Sequence, residues 1–222
     1  MVKNHLKRLA APKSWPITRK HGKFTVRPLP SGHGSCFSLP VRTIIRDMLG
    51  YAENASQVSR ILHNKDVLVD ARRVGDARQP VGLMDALSFP QLNESFRVLV
   101  GTRGKIVLEK ISSDDAKQKL CRIAGKIMSK GGKMQLALHD GRTLLADKKD
   151  YSIGDSVIIS LPGQEIKKHL KLEKGAHIYL TGGSHVGGRG TVETMEKDKL
   201  MVKSDGKSFE AKKLFAFVVD NK

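Results

Sequence analysis

Cysteine is almost missing from these 222 residues. Cys36 and Cys121 stand far apart, which leaves room for one disulfide and none for a disulfide framework. Aromatic residues make up only 5%, so the cores must rest on Val, Ile, Leu and Met, and long stacking platforms are not expected. Long apolar runs are missing too: the longest, Leu214 to Val219, is six residues, against the ~20 that a membrane-spanning helix needs. The basic N-terminus leads into no apolar stretch of about 7–15 residues, so no secretory leader is expected. Acid is in short supply, with 22 Asp+Glu against 40 Lys+Arg, a formal charge of +18. These shortages exclude a membrane-spanning helical protein and a disulfide scaffold. A positive excess of this size repels itself unless something neutralises it, which points to an intracellular protein with a polyanionic partner.

The excess is unevenly spread. Residues 1–40 hold eight Lys/Arg and no Asp or Glu, whereas the segments 41–110, 111–172 and 173–222 mix the signs, with excesses of +3, +5 and +2. The first segment also carries Pro12, Pro16, Pro28, Pro30 and Pro40 with Gly22, Gly32 and Gly34. Little apolar surface is available there, and the composition suits an extended arm that orders on its partner. Without a carboxylate of its own, the arm finds its natural counter-charge in phosphate. Its candidate phosphate contacts are Lys3, Lys7, Arg8, Lys13, Arg19, Lys20, Lys23 and Arg27. Trp15, the single tryptophan, is a candidate to stack on a base, with packing against the protein body as the alternative.

Beyond Pro40 the pattern turns helical. Val41, Ile44, Ile45, Met48 and Leu49 share one face, Arg42 and Arg46 lie on the other, and Gly50 ends the run. A second helix starts after an N-cap at Asn54 or Ser56 and buries Val58, Ile61 and Leu62. A short strand, Val67–Val69, and a polar turn over residues 70–73 follow. Residues 96–100 and 105–109 read as a hairpin around Gly101-Thr102-Arg103-Gly104. After a polar boundary at 112–115 the chain reads as strands at 120–127, 134–138, 143–146 and 157–161, then 176–180, 190–195, 199–202 and 214–219. His139-Asp140-Gly141-Arg142 holds the Asp-Gly pair favoured in tight hairpins. The expected fold class is α+β, divided into an extended basic arm (1–40), a small α+β domain (41–110), a central small β domain (111–172) and a C-terminal small β-barrel (173–222).

Two motifs bear on function. In the helix–helix–turn–strand unit, Arg60, Lys65, Arg72 and Arg73 come from the second helix, its end and the following turn, and can converge on one edge at phosphate-like spacing. The run Ser56-Gln57-Val58-Ser59-Arg60-Ile61-Leu62, then Lys65-Asp66-Val67-Leu68-Val69-Asp70, resembles the S-four-type RNA-binding domain. That family often has glycine after the strand; with Ala71 here, a left-handed turn residue is not expected. The second motif, Gly175 to Val192, has five glycines within residues 182–190. Such a loop lets backbone approach a ligand and offers unhindered N–H groups to oxygens, with Gly182, Gly183, His185 and Arg189 as candidates. It resembles the KOW motif, a small SH3-like barrel element. A nucleotide-binding loop fails on spacing, since Arg189-Gly190 stands where Lys and Ser/Thr belong. His33-x-x-Cys36 is half a metal site without a second pair, so no metal or other cofactor is expected. No spacing singles out a catalytic triad or dyad.

The stretch Lys3 to Ile17, Leu39-Pro40 with Ile45 to Ala52, Pro80-Val81-Gly82-Leu83-Met84-Asp85, and Thr181-Gly182-Gly183 occur in one order along the chain. Together they resemble the archaeal and eukaryotic e-type family of small-subunit ribosomal protein four. The resemblance implies a cytoplasmic, non-enzymatic RNA-binding protein of the small subunit, with an arm, an RNA-binding domain, a central β domain and a KOW barrel. Its partners would be ribosomal RNA and neighbouring ribosomal proteins, with no membrane and no small-molecule substrate. An RNA-modifying enzyme would need a large catalytic domain for which the residues after 111 are too few, and a KOW-type transcription factor would need a polymerase-contacting domain where the basic arm stands. On this reading, deletion of residues 1–35 leaves the folded domains intact and weakens incorporation into subunits, as co-sedimentation would show.

Overall fold

Among the described residues, α-helix is confined to one short region, where the apolar spacing predicts it. The computed structural model describes residues 5–129, 132–146, 150–204 and 206–220. After strands β1 (Leu6–Lys7), β2 (Phe24–Thr25) and β3 (Ser38–Pro40), α1 (Val41–Thr43) widens into a single π-type turn, Ile44–Met48, closed by the Leu49 N–H on the Ile44 carbonyl at 2.9 Å. Val41, Ile44 and Ile45 are wholly buried on its inner face. Helix α2 (Ala55–Asn64) is capped by Asn54, whose side chain accepts from the Gln57 N–H at 3.0 Å, while Gln57 Oε1 accepts from the Glu53 N–H at 2.7 Å. The Asn54 cap selects Asn54 over Ser56 as the start of the helix. Val58 and Leu62 form its buried stripe.

The strands that follow are β4 (Leu68–Val69), β5 (Arg72–Arg73), β6 (Pro80–Gly82), β7 (Ala86–Phe89), β8 (Glu94–Val100) and β9 (Ile106–Ile111). They form a sheet ordered β5-β4-β7-β8-β9, while β3 pairs with β6 and β1 with β2. Next come β10 (Gln118–Met128), β11 (Met134–Leu138), β12 (Thr143–Ala146), β13 (Ser156–Ser160) and β14 (Ile166–Leu170), ordered β12-β11-β10-β13-β14. The last sheet is built from β15 (His177–Leu180), β16 (Arg189–Met195), β17 (Lys199–Ser204), β18 (Lys207–Lys212) and β19 (Ala216–Val218), ordered β18-β17-β16-β15-β19. The fold is α+β with few helices and many antiparallel strands. By its contacts the chain divides into two units, residues 1–99 with 105–117, and residues 100–104 with 118–222; the second holds two separate apolar clusters.

Strands β1, β2, β3, β6, β7, β14 and β18 were not expected, and for β14 and β18 the reason is the same. Strand β18 reads Lys-Ser-Phe-Glu-Ala-Lys and β14 Ile-Lys-Lys-His-Leu, so charge hides the alternation. Yet Phe209 and Ala211 pack on the third cluster and Ile166 on the second. The turn expected over 70–73 is also shorter: it spans Asp70 and Ala71, and Arg72–Arg73 pairs with β4.

The larger correction concerns the arm. Trp15 is 1% exposed, Ala11 and Leu39 are buried beside it, and all three belong to the first core with Ile44, Val58 and Leu87. The indole N–H donates to the Ser35 carbonyl at 3.3 Å, and the Ser14 carbonyl accepts from the Ile106 N–H at 2.8 Å. Residues 11–40 therefore supply part of the first core, and deletion of 1–35 would open that core instead of sparing it. The same burial takes Trp15 out of reach of a base, so its role is packing.

In the second unit, the Lys119 ammonium and the Asp140 carboxylate, each 1% exposed at the side chain, meet at 2.8 Å. Burial alone would raise the Asp140 carboxyl, but Lys119 and the Arg142 N–H outweigh it and hold the group below the ordinary carboxylate range. A depressed folded-state value contributes stability that is present above the unfolded carboxylate pKa and is lost as pH falls through the lower folded one. Stability should thus drop on acidification below about pH 4, where free Asp carboxylates begin to protonate, and Asp140→Asn should flatten that part of a denaturant-midpoint series against pH. Trp15→Ala should cost roughly 3–5 kcal/mol, as large-to-small changes of a buried aromatic do, read as a lower chemical-denaturation midpoint.

Candidate nucleic-acid interface

The basic residues fall into two classes once their partners are known. Arg8 is buried, with Nη1 donating to the Thr18 carbonyl at 2.5 Å. Arg19 gives Nη1 to the Leu9 and Ala11 carbonyls at 3.2 and 3.0 Å and Nη2 to the Pro12 carbonyl at 2.7 Å. These two guanidiniums tie the N-terminal segment to itself, which corrects their reading as free phosphate contacts. Lys7, Lys13, Lys20, Lys23 and Arg27 stand exposed, and Lys3 lies outside the described residues. Lys23 Nζ sits 5.5 Å from the centre of the Phe24 ring. Arg42 is half-buried, and Arg46 is engaged by both carboxylate oxygens of Asp47 at 2.8 and 2.9 Å, which raises its already high pKa.

The helix-end cluster is assembled by backbone geometry. Arg73 Nη2 donates to the His63 carbonyl at 3.2 Å and its Nε lies 3.3 Å from Asp66 Oδ1. The edge strand β5 is thereby held against the end of α2. Ser56, Arg60, Lys65, Arg72 and Arg73 are all exposed. The turn that makes this possible is left-handed at two successive residues, Asp70 at φ 50° and Ala71 at φ 62°. Two such residues suit a tight hairpin whose twist matches the strands. Asp70 is buried, with Oδ1 accepting from the Ala86 N–H at 3.0 Å and its own N–H donating to the Ala86 carbonyl at 2.9 Å. That double anchor holds Ala71 in a region costing a side-chain-bearing residue roughly 1–2 kcal/mol, contrary to the expectation for this position.

The glycine loop between β15 and β16 is used mainly by the protein itself. The Gly187 N–H donates to the Leu180 carbonyl at 2.7 Å and the Gly188 N–H to the His185 carbonyl at 3.1 Å, so these two amides are not available to a ligand. A Cβ at Gly182 would lie 2.7 Å from the Phe215 ring, which makes this glycine a packing requirement. Gly183, His185 and Arg189 remain exposed. The His185 ring stacks on Phe209 with centroids 3.9 Å apart and planes 22° apart. Beside it lies an open pocket of about 230 Å³, lined by Gly183, His185, Lys199, Glu210, Lys212 and Phe215. Lys199 and Lys212 escaped the sequence reading because the charge of β18 hid the strand that presents Lys212 and Glu210, the partner of Lys199 at 2.7 Å.

Comparison with known proteins decides the family. The model of the ribosomal family S4e matches residues 92–166, and that of the RS4NT (NUC023) domain residues 2–34. The small ribosomal subunit protein eS4 of Methanocaldococcus jannaschii is 43% identical over 98% of this chain and 94% of its own length. That of Methanococcus aeolicus is 40% identical over the same shares. This chain belongs to the ribosomal S4e family. The crystal structure of the 30S ribosomal protein S4e from Thermoplasma acidophilum superposes with a TM-score of 0.73 at 32% identity, covering 82% of this chain and 94% of that one.

A metal reading of the S4e chain is met by specific contacts. His33 is held by Asp85, Nε2 to Oδ1 at 3.1 Å. Cys121, His139 and Asp140 bring ligand-type atoms within 4.8 Å of one another. The Asp140 oxygen nearest Cys121 is, however, the one that accepts from Lys119, so a buried ammonium already supplies the positive charge there. The left-handed Ala71 yields the prediction for this site. Ala71→Gly should raise stability by about 1 kcal/mol, the strain relieved less the extra backbone entropy of glycine, seen as a higher denaturation midpoint with RNA binding unchanged.

Proposed function

We propose that this chain is a structural, non-catalytic constituent of the small ribosomal subunit in the cytoplasm, where it binds ribosomal RNA and supports subunit assembly and translation. The observation that carries this reading is identity of 43% over 98% of the chain to a protein named as a small-subunit component. The physical basis is the sorting of cations. Lys7, Lys13, Lys20, Lys23 and Arg27 on the N-terminal segment, Arg60, Lys65, Arg72 and Arg73 at the helix end, and Arg189 beside the glycine loop are all exposed. Phosphate contacts from these groups supply affinity, and the shape of the folded surfaces selects the RNA site.

Within that reading the segments take distinct roles. The part of the chain around α2, β4 and β5 acts as the S-four-type RNA-binding module; its support is the convergence of Arg73 with the end of α2. Strands β15–β19 act as a KOW-type barrel, supported by their five-stranded antiparallel order and by the glycine loop. Neighbouring ribosomal proteins complete the set of partners, and the central strands β10–β14 are the segment between the two RNA-facing modules.

The test is the salt dependence of binding by the full chain to transcribed small-subunit ribosomal RNA. With about ten phosphates neutralised, log K should fall against log salt with a slope of roughly −7 to −9. Replacing Lys7, Lys13, Lys20 and Lys23 together by Gln should flatten that slope by about 3 units and leave the thermal midpoint unchanged, since all four are exposed. A slope near zero for the unaltered chain would overturn the mechanism.

A further inference from the structure

Residues 100–104 group by their contacts with the second unit, where they adjoin the glycine loop. Tyr179 on β15 is 4% exposed, and its hydroxyl accepts from the Val100 N–H at 2.9 Å while donating to the Val100 carbonyl. One side chain thus satisfies both backbone groups of the residue that opens the turn, as a hydroxyl with one hydrogen and two lone pairs can. The turn is closed by the Gly104 N–H on the Gly101 carbonyl at 2.8 Å. The glycine loop also packs closely on it. A Cβ at Gly187 would lie 2.5 Å from the Gly101 carbonyl carbon and 2.6 Å from the Thr102 nitrogen, so no residue with a side chain fits there without moving the turn. Gly187 also sits at φ +77°, which disfavours substitution on its own account.

This clamp holds a turn that exposes Thr102 and Arg103. Arg103 is exposed and has no acidic partner among the described residues. A closure that served only to end a hairpin would need neither the buried tyrosine nor the pressed glycine. What the clamp achieves is to fix the backbone that carries a guanidinium, so that less freedom is lost when the group is captured by an anion. A guanidinium offers paired N–H donors that match two oxygens of one phosphate.

Resting on the RNA-binding reading above, we propose that the turn 101–104 is a second limb of the glycine-loop interface, and that Arg103 is a phosphate-contacting residue positioned by Tyr179 and Gly187. The composite surface joins two turns more than 75 residues apart in sequence and takes one stretch of RNA backbone across Arg103 and the exposed edge of the loop.

The experiment uses the full chain and transcribed small-subunit ribosomal RNA. Arg103→Gln should lower affinity about tenfold and reduce the magnitude of the salt slope by roughly 0.7–0.9, the share of one phosphate, with an unchanged thermal midpoint. Arg103→Lys should recover part of the affinity and all of the slope, since the charge is kept and the paired donors are lost. Gly187→Ala, or Tyr179→Phe where the first does not fold, should weaken binding, and adding Arg103→Gln on that background should cost little more, because the guanidinium is already misplaced. Unaltered affinity and slope for Arg103→Gln would overturn the proposal while the RNA-binding reading stood. Full additivity of the clamp variant with Arg103→Gln would overturn the positioning role of Tyr179 and Gly187. A flat salt profile for the unaltered chain would instead overturn the reading beneath it.

Discussion

The scarcity of carboxylates relative to cations is the constraint on which the rest of this structure depends: four aspartates lie inside, where each pins backbone, while most of the other described acidic groups stay at the surface. Asp70, Asp85, Asp140 and Asp155 are all buried, whereas among the described basic residues only Arg8 and Lys119 are. Each buried aspartate organises backbone around itself. Asp85 takes the Gly82 N–H and His33; Asp155 takes the Ser152 and Leu172 N–H groups and His169. A carboxylate that accepts several hydrogen bonds repays the cost of leaving water and pins the loops that supply the donors. The surface is in consequence more positive than a count of residues suggests, which suits a protein seated on a polyanion.

The N-terminal segment shows how the same constraint shapes local structure. Eight cations without an acid among forty residues would drive the chain apart. Two of them are instead turned onto carbonyl oxygens of the segment itself, and the Trp15 indole seals the rest onto the first core. The carbonyl dipoles take the part that carboxylates would otherwise play. What remains exposed is a row of lysines and one arginine on backbone that is already folded, so less ordering entropy stands against their capture by phosphate than a free arm would face.

Much of the fold was legible because it rests on local chemistry. The apolar face of α1, the Asn54 cap, the glycines around the 101–104 turn and the strand runs from β10 to β13 follow from spacing and turn residues that act over a few positions. Of the strands that escaped detection, β14 and β18 carry charge on their outer face and only two or three inward apolar residues, too few to stand out without knowledge of the neighbouring strand. The candidate site was less legible. Its residue types were evident, but Arg8, Arg19 and Trp15 belong to the architecture, while the packing of the 101–104 turn, which carries Arg103, against the glycine loop joins segments distant in sequence. Ala71 is the instructive exception. Its own side chain argues against a left-handed turn, and the buried anchor of Asp70 on Ala86 overrides that preference.

By itself, the sequence determined the kind of partner, through net charge and its uneven spread, and the family, through four motifs in order, because composition and short motifs are properties of the chain whatever its conformation. Which cations face outward, where the tryptophan goes, and that the glycine loop packs against the 101–104 turn were decided by the tertiary structure alone. Those outcomes turn on which backbone groups and carboxylates lie within hydrogen-bonding reach, and that reach exists only after remote segments have packed together.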